Sequence, residues 1–528
     1  MSLANTTTSW GSRRDYTLDL SYPSEFVFGQ TPVHMQWAAA AAGAPMGPLV
    51  EPFSYCDLGC GDGVTLNVLA AEYPQASFTG VDLNAGHLER ARALADRAGL
   101  GNVSYREASL ADLDTIGLPQ MDYIAVHGVY AWVDAPTRAA ILEFVRSHLK
   151  PGGLVCVQYA CLPSAVIHDP LCAYVRTFSA RASGDSEERF RAGVATLREI
   201  MPFSRFFERN PQAAEIVERF GTDPPGQAAH DVLNRELHSF YFHEVHEALV
   251  SRGLEFMGSS NLKLNHPELM LTREAYAAYL RVVGNADRIS GEETLDLLLN
   301  TSSRCDLFRR PDPEADRERR VPGLAGLGGL YLQRAPFSGD AAARQRASKS
   351  CAIDLASGLH TAVLDALQEG SMTIEALLST PALSVFNRAD AEQGIAQLFM
   401  MRYLNVLIRP ALRLDYDEKR RYQLAEINSI LLRERIAVPD AVAFASPVLG
   451  SALMIPPDQR LRLLAFLGGD LAPVWQQFQK EGRRVIDDRR RAVTSLEQFS
   501  AGLRASLPAF RADALPELLR LGVLEAAD

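Results

Sequence analysis

Residues 56–63 read Cys56-Asp57-Leu58-Gly59-Cys60-Gly61-Asp62-Gly63, closing a β-rich run and opening a helical one. Glycines at alternate positions let the chain turn sharply and let a ligand approach the main chain closely. A dinucleotide site built on such a turn follows G-x-G-x-x-G/A, with phosphate resting on the helix N-terminus. Here the spacing is G-x-G-x-G, and Val64 stands where that pattern wants its third glycine. Asp57 and Asp62 also place carboxylates beside the turn, which would repel a pyrophosphate at a few ångströms.

Outward from this turn, β-rich and helical runs alternate, the pattern of a doubly wound parallel sheet. Strands are expected over Phe53–Leu58, Ser77–Asp82, Asn102–Glu107, Met121–Val126 and Leu154–Tyr159. All five read as nearly continuous apolar or β-branched segments, as strands buried on both faces should. Between them, Leu88, Ala91, Leu94, Ala95 and Ala98 keep a helical period, with Asn84 as N-cap and Gly99 as the stop. Asp82 ends the second strand, where a carboxylate can accept two ribose hydroxyls; its plainer role is to cap the helix that follows. The turn Leu149-Lys150-Pro151-Gly152-Gly153 precedes the last strand. A phosphate-free nucleoside carrying an amine and a sulfonium, S-adenosylmethionine, suits this acidic loop better than NAD does.

Composition sets the wider limits. The chain has 528 residues, 47% hydrophobic and 22% charged, enough for about three domains. The formal charge of −11 argues against a nucleic-acid partner, since phosphate backbones need a basic footprint. Seven cysteines, none in a CxxC pair, make neither a disulfide framework nor a structural zinc site. No segment reads as a signal peptide or a membrane span, so a reducing, cytoplasmic context is expected. After Pro163 the strand signals fade into helical patterns. The expected division is a donor-binding domain over 1–165, a mostly helical regulatory or substrate domain over 166–335, and a helical C-terminal domain over 336–528. Within the last, Thr373–Arg409 reads helix, helix, strand, like a winged helix.

The combination DLGCGDG, GVDLN and LKPGG resembles a class I S-adenosylmethionine-dependent methyltransferase. More narrowly, Tyr16–Pro32, His127–Val133 (HGVYAWV), Tyr159–Pro163 (YACLP), Phe240–Leu249 and Arg304–Arg310 (RCDLFRR) resemble the bacterial subgroup with a methyltransferase regulatory domain. That subgroup includes protein-lysine methyltransferases acting on bacterial surface proteins. The resemblance implies an α/β, Rossmann-like catalytic domain followed by mostly helical domains. It also implies a donor site of Asp57, Gly59, Cys60, Gly61, Gly63, Asp82 and Leu83, which yields S-adenosylhomocysteine and needs no metal. Two positions depart from the pattern. Ala108-Ser109 stands where an acidic residue commonly meets the adenine amine, and Ala160 and Ser164 replace the usual asparagine and glycine of the acceptor segment.

The acceptor side is aromatic. His127, Tyr130 and Trp132 follow the fourth strand and Tyr159 lies in the fifth, while Tyr16 and Tyr22 are candidates to fold over the donor. Aromatic faces attract an ammonium or sulfonium by roughly 0.5–2 kcal/mol each; the alternative is that the rings pack in the core or a lid. His127 serves either as a base or to fix its loop. His238, His243 and His246 lack the H-E-x-x-H spacing of a metalloprotease. The arginine run from Arg483 to Arg491 reads as a solvated helix face. The leading expectation is methylation of lysine in a protein substrate, with a homodimer left open. A small-molecule acceptor and a catalytically idle binding module are the alternatives.

Overall fold

The computed structural model describes residues 25–222, 225–318, 322–335, 341–414, 416–486 and 491–527. Its centre is a sheet whose first five strands are parallel: β1 Ser54–Leu58, β2 Ser77–Asp82, β3 Val103–Glu107, β4 Met121–Val126 and β5 Leu149–Cys161. Their spatial order is β3-β2-β1-β4-β5, so the chain reverses its direction of travel between β1 and β4. Ligands of open α/β sheets bind at such a switch point, beyond the strands' C-terminal ends. Helices α1 Pro32–Ala41, α2 Val64–Glu72, α3 Ala85–Arg97 and α4 Ala135–His148 pack around it. The expected helix is α3, and Asn84 caps it by accepting from the Gly86 and His87 amides.

The sheet does not stop at β5. β6 Ser239–Phe240 pairs in parallel with the end of β5, β8 Ser303–Arg309 runs antiparallel along β5, and β7 Glu255–Ser259 runs antiparallel along β8. The region after Pro163 therefore contributes three strands to the central sheet, a correction to the fading strand signal. The cause is chemical: β8 buries Arg304, Asp306 and Arg309, which break the apolar run a buried strand usually shows. Its charges are satisfied internally. Arg304 pairs with Asp306 at 2.9 Å, Asp296 at 2.8 Å and Glu292 at 2.7 Å.

Helices α5 Ala165–Ser179 and α6 Ser186–Ile200, with those at Ala213–Thr222 and Pro225–Leu233, form a separate small core around Cys172, Val175, Phe190 and Val194. In the C-terminal third, strands Met372–Thr373 and Leu404–Leu407 flank Tyr331–Arg334 in one antiparallel sheet. The helices of the Thr373–Arg409 unit lie at Ile374–Leu378 and Arg388–Met400, and its central strand is borrowed from upstream. The third is fastened to α2. Glu72 accepts from the Ser446 and Ala452 amides, each at 2.8 Å, and the Tyr73 hydroxyl donates to the Gly450 carbonyl at 2.7 Å.

Candidate active site

The glycine turn is pinned to β2: the Gly59 and Cys60 amides both donate to the Val81 carbonyl. Gly59 has φ +86°, and a Cβ there would lie 2.1 Å from Val129 Cγ2, so this position has room only for glycine. Gly61 differs. At φ +55°, a Cβ would meet nothing within 4 Å, because this position borders a cavity of about 490 Å³.

Two aspartates give the cavity its charge. Asp57 is 3% exposed and accepts from Gln30 Nε2 at 3.1 Å. Its other oxygen, Oδ1, and Gln30 Oε1 are buried without a hydrogen-bond partner among the described residues. Burial pushes the Asp57 carboxyl up to about 7; the Gln30 bond opposes this and the nearby Asp82 charge adds to it. Asp82 accepts from the Gly61 amide at 2.9 Å and the Asn84 amide at 2.8 Å, so it ties the glycine turn to the loop after β2. Since Asn84 itself caps α3, Asp82 is not the cap. Each of its oxygens holds one donor and retains room for another.

The chain before α1 lies over this turn. The Val27 amide donates to Thr65 Oγ1 at 3.1 Å, and the Tyr55 hydroxyl donates to the Gln30 carbonyl at 2.8 Å. Leu83 and Ser109 line the cavity, whereas Ala108 packs into the core behind it. Tyr16 and Tyr22 lie outside the described residues.

At the far end, His127 and Trp132 line the cavity, and burial lowers the imidazole to about 4, leaving it neutral. Gln158, also in the lining, accepts from the Gly128 amide at 3.0 Å. Tyr130 and Tyr159 do not line it. Tyr130 packs against Phe240, and Tyr159 donates its hydroxyl to Asp306 at 2.6 Å. Strand alternation is the reason: along β5, Gln158 faces the cavity and Tyr159 faces away.

The same end holds side chains the sequence pattern did not single out. Asp134 caps α4, a role its Asp-Ala-Pro-Thr context signals. Asp231, Asn234 and Glu236 arrive from the region beyond α6. Asn234 Nδ2 donates to the Trp132 carbonyl at 3.1 Å and the His238 amide donates to the Ala131 carbonyl at 2.8 Å, clamping that segment in place. The lining thus contains seven carboxylates (Glu25, Asp57, Asp62, Asp82, Asp134, Asp231, Glu236) and neither lysine nor arginine. Such a chamber attracts cations and repels polyanions.

The histidines set aside as non-metal ligands have separate environments: His243 pairs with Glu293, His238 with Glu236, and His246 packs against Phe242 and Phe256. Among the described residues no helix is long and apolar enough to cross a membrane.

Residues 56–153 match the family model described as a methyltransferase domain, and residues 227–310 match one described as a predicted methyltransferase regulatory domain. The protein sll1526 of Synechocystis sp. is 26% identical over 512 residues, spanning 96% of this chain and 99% of its own. A trans-aconitate 2-methyltransferase of Methylobacterium nodulans is 34% identical over 111 residues, 21% of this chain and 40% of that protein. Among solved structures, PKMT2 from Rickettsia typhi in complex with AdoHcy has a TM-score of 0.67 at 17% identity, covering 95% of this chain and 99% of that one. At that identity the likeness is one of fold.

Proposed function

We propose that this chain, an S-adenosylmethionine-dependent methyltransferase whose catalytic domain is followed by a methyltransferase regulatory domain, methylates lysine side chains of a protein substrate. The observation that carries the reading is the charge of the cavity: seven carboxylates and no fixed cation. An ammonium-bearing acceptor is drawn into such a chamber, whereas trans-aconitate, a tricarboxylate, would be repelled by its lining. The fold likeness to PKMT2 from Rickettsia typhi, solved with AdoHcy, supports the methyl-transfer fold.

The residues fit the donor. The unpartnered oxygens of Asp57 and Gln30 suit its ammonium, and the open side of Gly61 leaves space against the main chain. Asp82 keeps acceptor capacity for ribose hydroxyls, and Leu83 and Ser109, which line the same cavity, would hold the base. When bound, S-adenosylmethionine supplies an electrophilic methyl group on sulfur. The chain's own task is alignment, which holds the incoming nitrogen in line with that methyl. Asp134, Asp231 and Glu236 draw the ammonium in, and Trp132 offers it an aromatic face. The amine, with a solution pKa near 10.4, must shed its proton to water before attack. The nitrogen–methyl bond then forms as the sulfur–methyl bond breaks, and the sulfur leaves as the neutral thioether of S-adenosylhomocysteine. His127, kept neutral by burial, adds no cation that would compete for the carboxylates.

The test is purified protein with radiolabelled donor, offered lysate proteins, lysine peptides and a low-mass extract in parallel. Label on protein lysine is expected; label confined to the low-mass fraction overturns the lysine reading.

A further inference from the structure

We propose that the acceptor polypeptide lies in a second cavity adjoining the donor site, and that Lys263 and Arg402 there select acidic residues flanking the methylated lysine. The proposal rests on the lysine reading above. The second cavity, of about 830 Å³, shares Val27 and His127 with the donor cavity. His127 follows β4 directly, at the C-terminal end of the sheet where acceptors meet donors in this architecture. The two spaces therefore share a wall at Val27 and His127, beside the strand ends where methyl transfer is expected. The outer walls of the second cavity come from Phe28 and His34, from Lys263 after β7, and from Arg402 and Glu517 in the C-terminal third.

Charge separates the two spaces. The donor cavity is lined by carboxylates alone among fixed charges, whereas the second presents Lys263 and Arg402 against one acid, Glu517. That acid is already engaged by Gln333 Nε2 at 3.0 Å and Asn405 Nδ2 at 3.3 Å. Neither Lys263 nor Arg402 forms an ion pair with a carboxylate among the described residues. Arg402 is exposed, at φ +62°, in the turn between helix Arg388–Met400 and strand Leu404–Leu407. Its charge, after burial, also helps hold His34 neutral. A polypeptide that sends a lysine past Val27 and His127 meets negative potential at its tip and positive potential along its backbone. Acidic neighbours complement the second cavity, and electrostatic complementarity of this kind sets specificity more than raw affinity.

The experiment compares three alanine-based peptides, each with a single acceptor lysine flanked on both sides by Glu, Gln or Arg, using the full chain. Initial rates give kcat/KM, and fluorescence anisotropy gives peptide binding. The Glu-flanked peptide is expected to exceed the Gln-flanked one at least ten-fold. Lys263→Glu combined with Arg402→Glu should abolish or invert that preference while donor affinity, measured by calorimetry, holds. Arg402→Asn, which tolerates the left-handed backbone, should narrow it to a few-fold without disturbing the turn. Equal rates for all flanks, or a preference untouched by these variants, overturn the inference and leave the lysine reading standing. No peptide turnover alongside turnover of a low-mass acceptor overturns both.

Discussion

Two sets of buried carboxylates lie against this sheet, and they are finished differently. Around Arg304, the acids Glu292, Asp296 and Asp306 each meet its guanidinium within 3 Å, Arg288 adds a second cation on Glu292, and Tyr159 donates to Asp306. At the glycine turn, Asp57 has an amide where the other set has guanidiniums, and one of its oxygens is left without a partner. Burying a charge is costly unless it is paired. The first set is closed by the protein itself, and the second keeps an oxygen that the proposed donor's ammonium would close.

That contrast can be broken most directly at Arg304. Arg304→Met leaves Asp296 and Asp306 without their cation and Glu292 with Arg288 alone, so a stability loss of about 3–5 kcal/mol is expected by denaturant unfolding, with donor affinity in the folded fraction unchanged. Loss of donor binding with stability intact would reverse the assignment. Gly61→Val should weaken donor binding roughly a hundred-fold by calorimetry, about 2.7 kcal/mol, since a side chain there projects into open cavity. Asp82→Ala should cost donor binding about ten-fold, the scale of a lost charged hydrogen bond, and loosen the turn held through the Gly61 amide.

The smallest expected effect concerns pH. Because burial raises the Asp57 carboxyl, its ionised form is disfavoured in the free protein: its stabilising contribution is full below the usual carboxylate range and is lost as pH rises through about 7. Donor binding favours that ionised form. Affinity should therefore climb several-fold between pH 6 and 8, and Asp57→Asn should flatten the profile in a calorimetric titration series.

The fold around the glycine turn was legible because its signals are local. The glycine turn, Asp82 and the Asn84 cap fall within one strand–helix–strand unit, and each reports its own backbone. β8 was missed because Arg304, Asp306 and Arg309 mask a buried strand as a polar one. Gln30, Asp231 and Asn234 were missed because they reach the cavity from distant segments through contacts no spacing encodes. Tyr130 and Tyr159 show the limit of residue type: an aromatic ring beside the right strand says nothing about which face it takes.

The attachment of Glu72 and Tyr73 has a practical meaning. Helix α2 begins at the glycine turn and ends in a carboxylate whose hydrogen-bonding amides belong to Ser446 and Ala452. Apolar residues from Val33 to Ile408 share one continuous interior. A truncated fragment ending near residue 335 would expose the back of its own nucleoside pocket to water, so recombinant work on the enzyme calls for the uncut polypeptide, and protease nicks in the distal portion should register first as weakened cofactor retention.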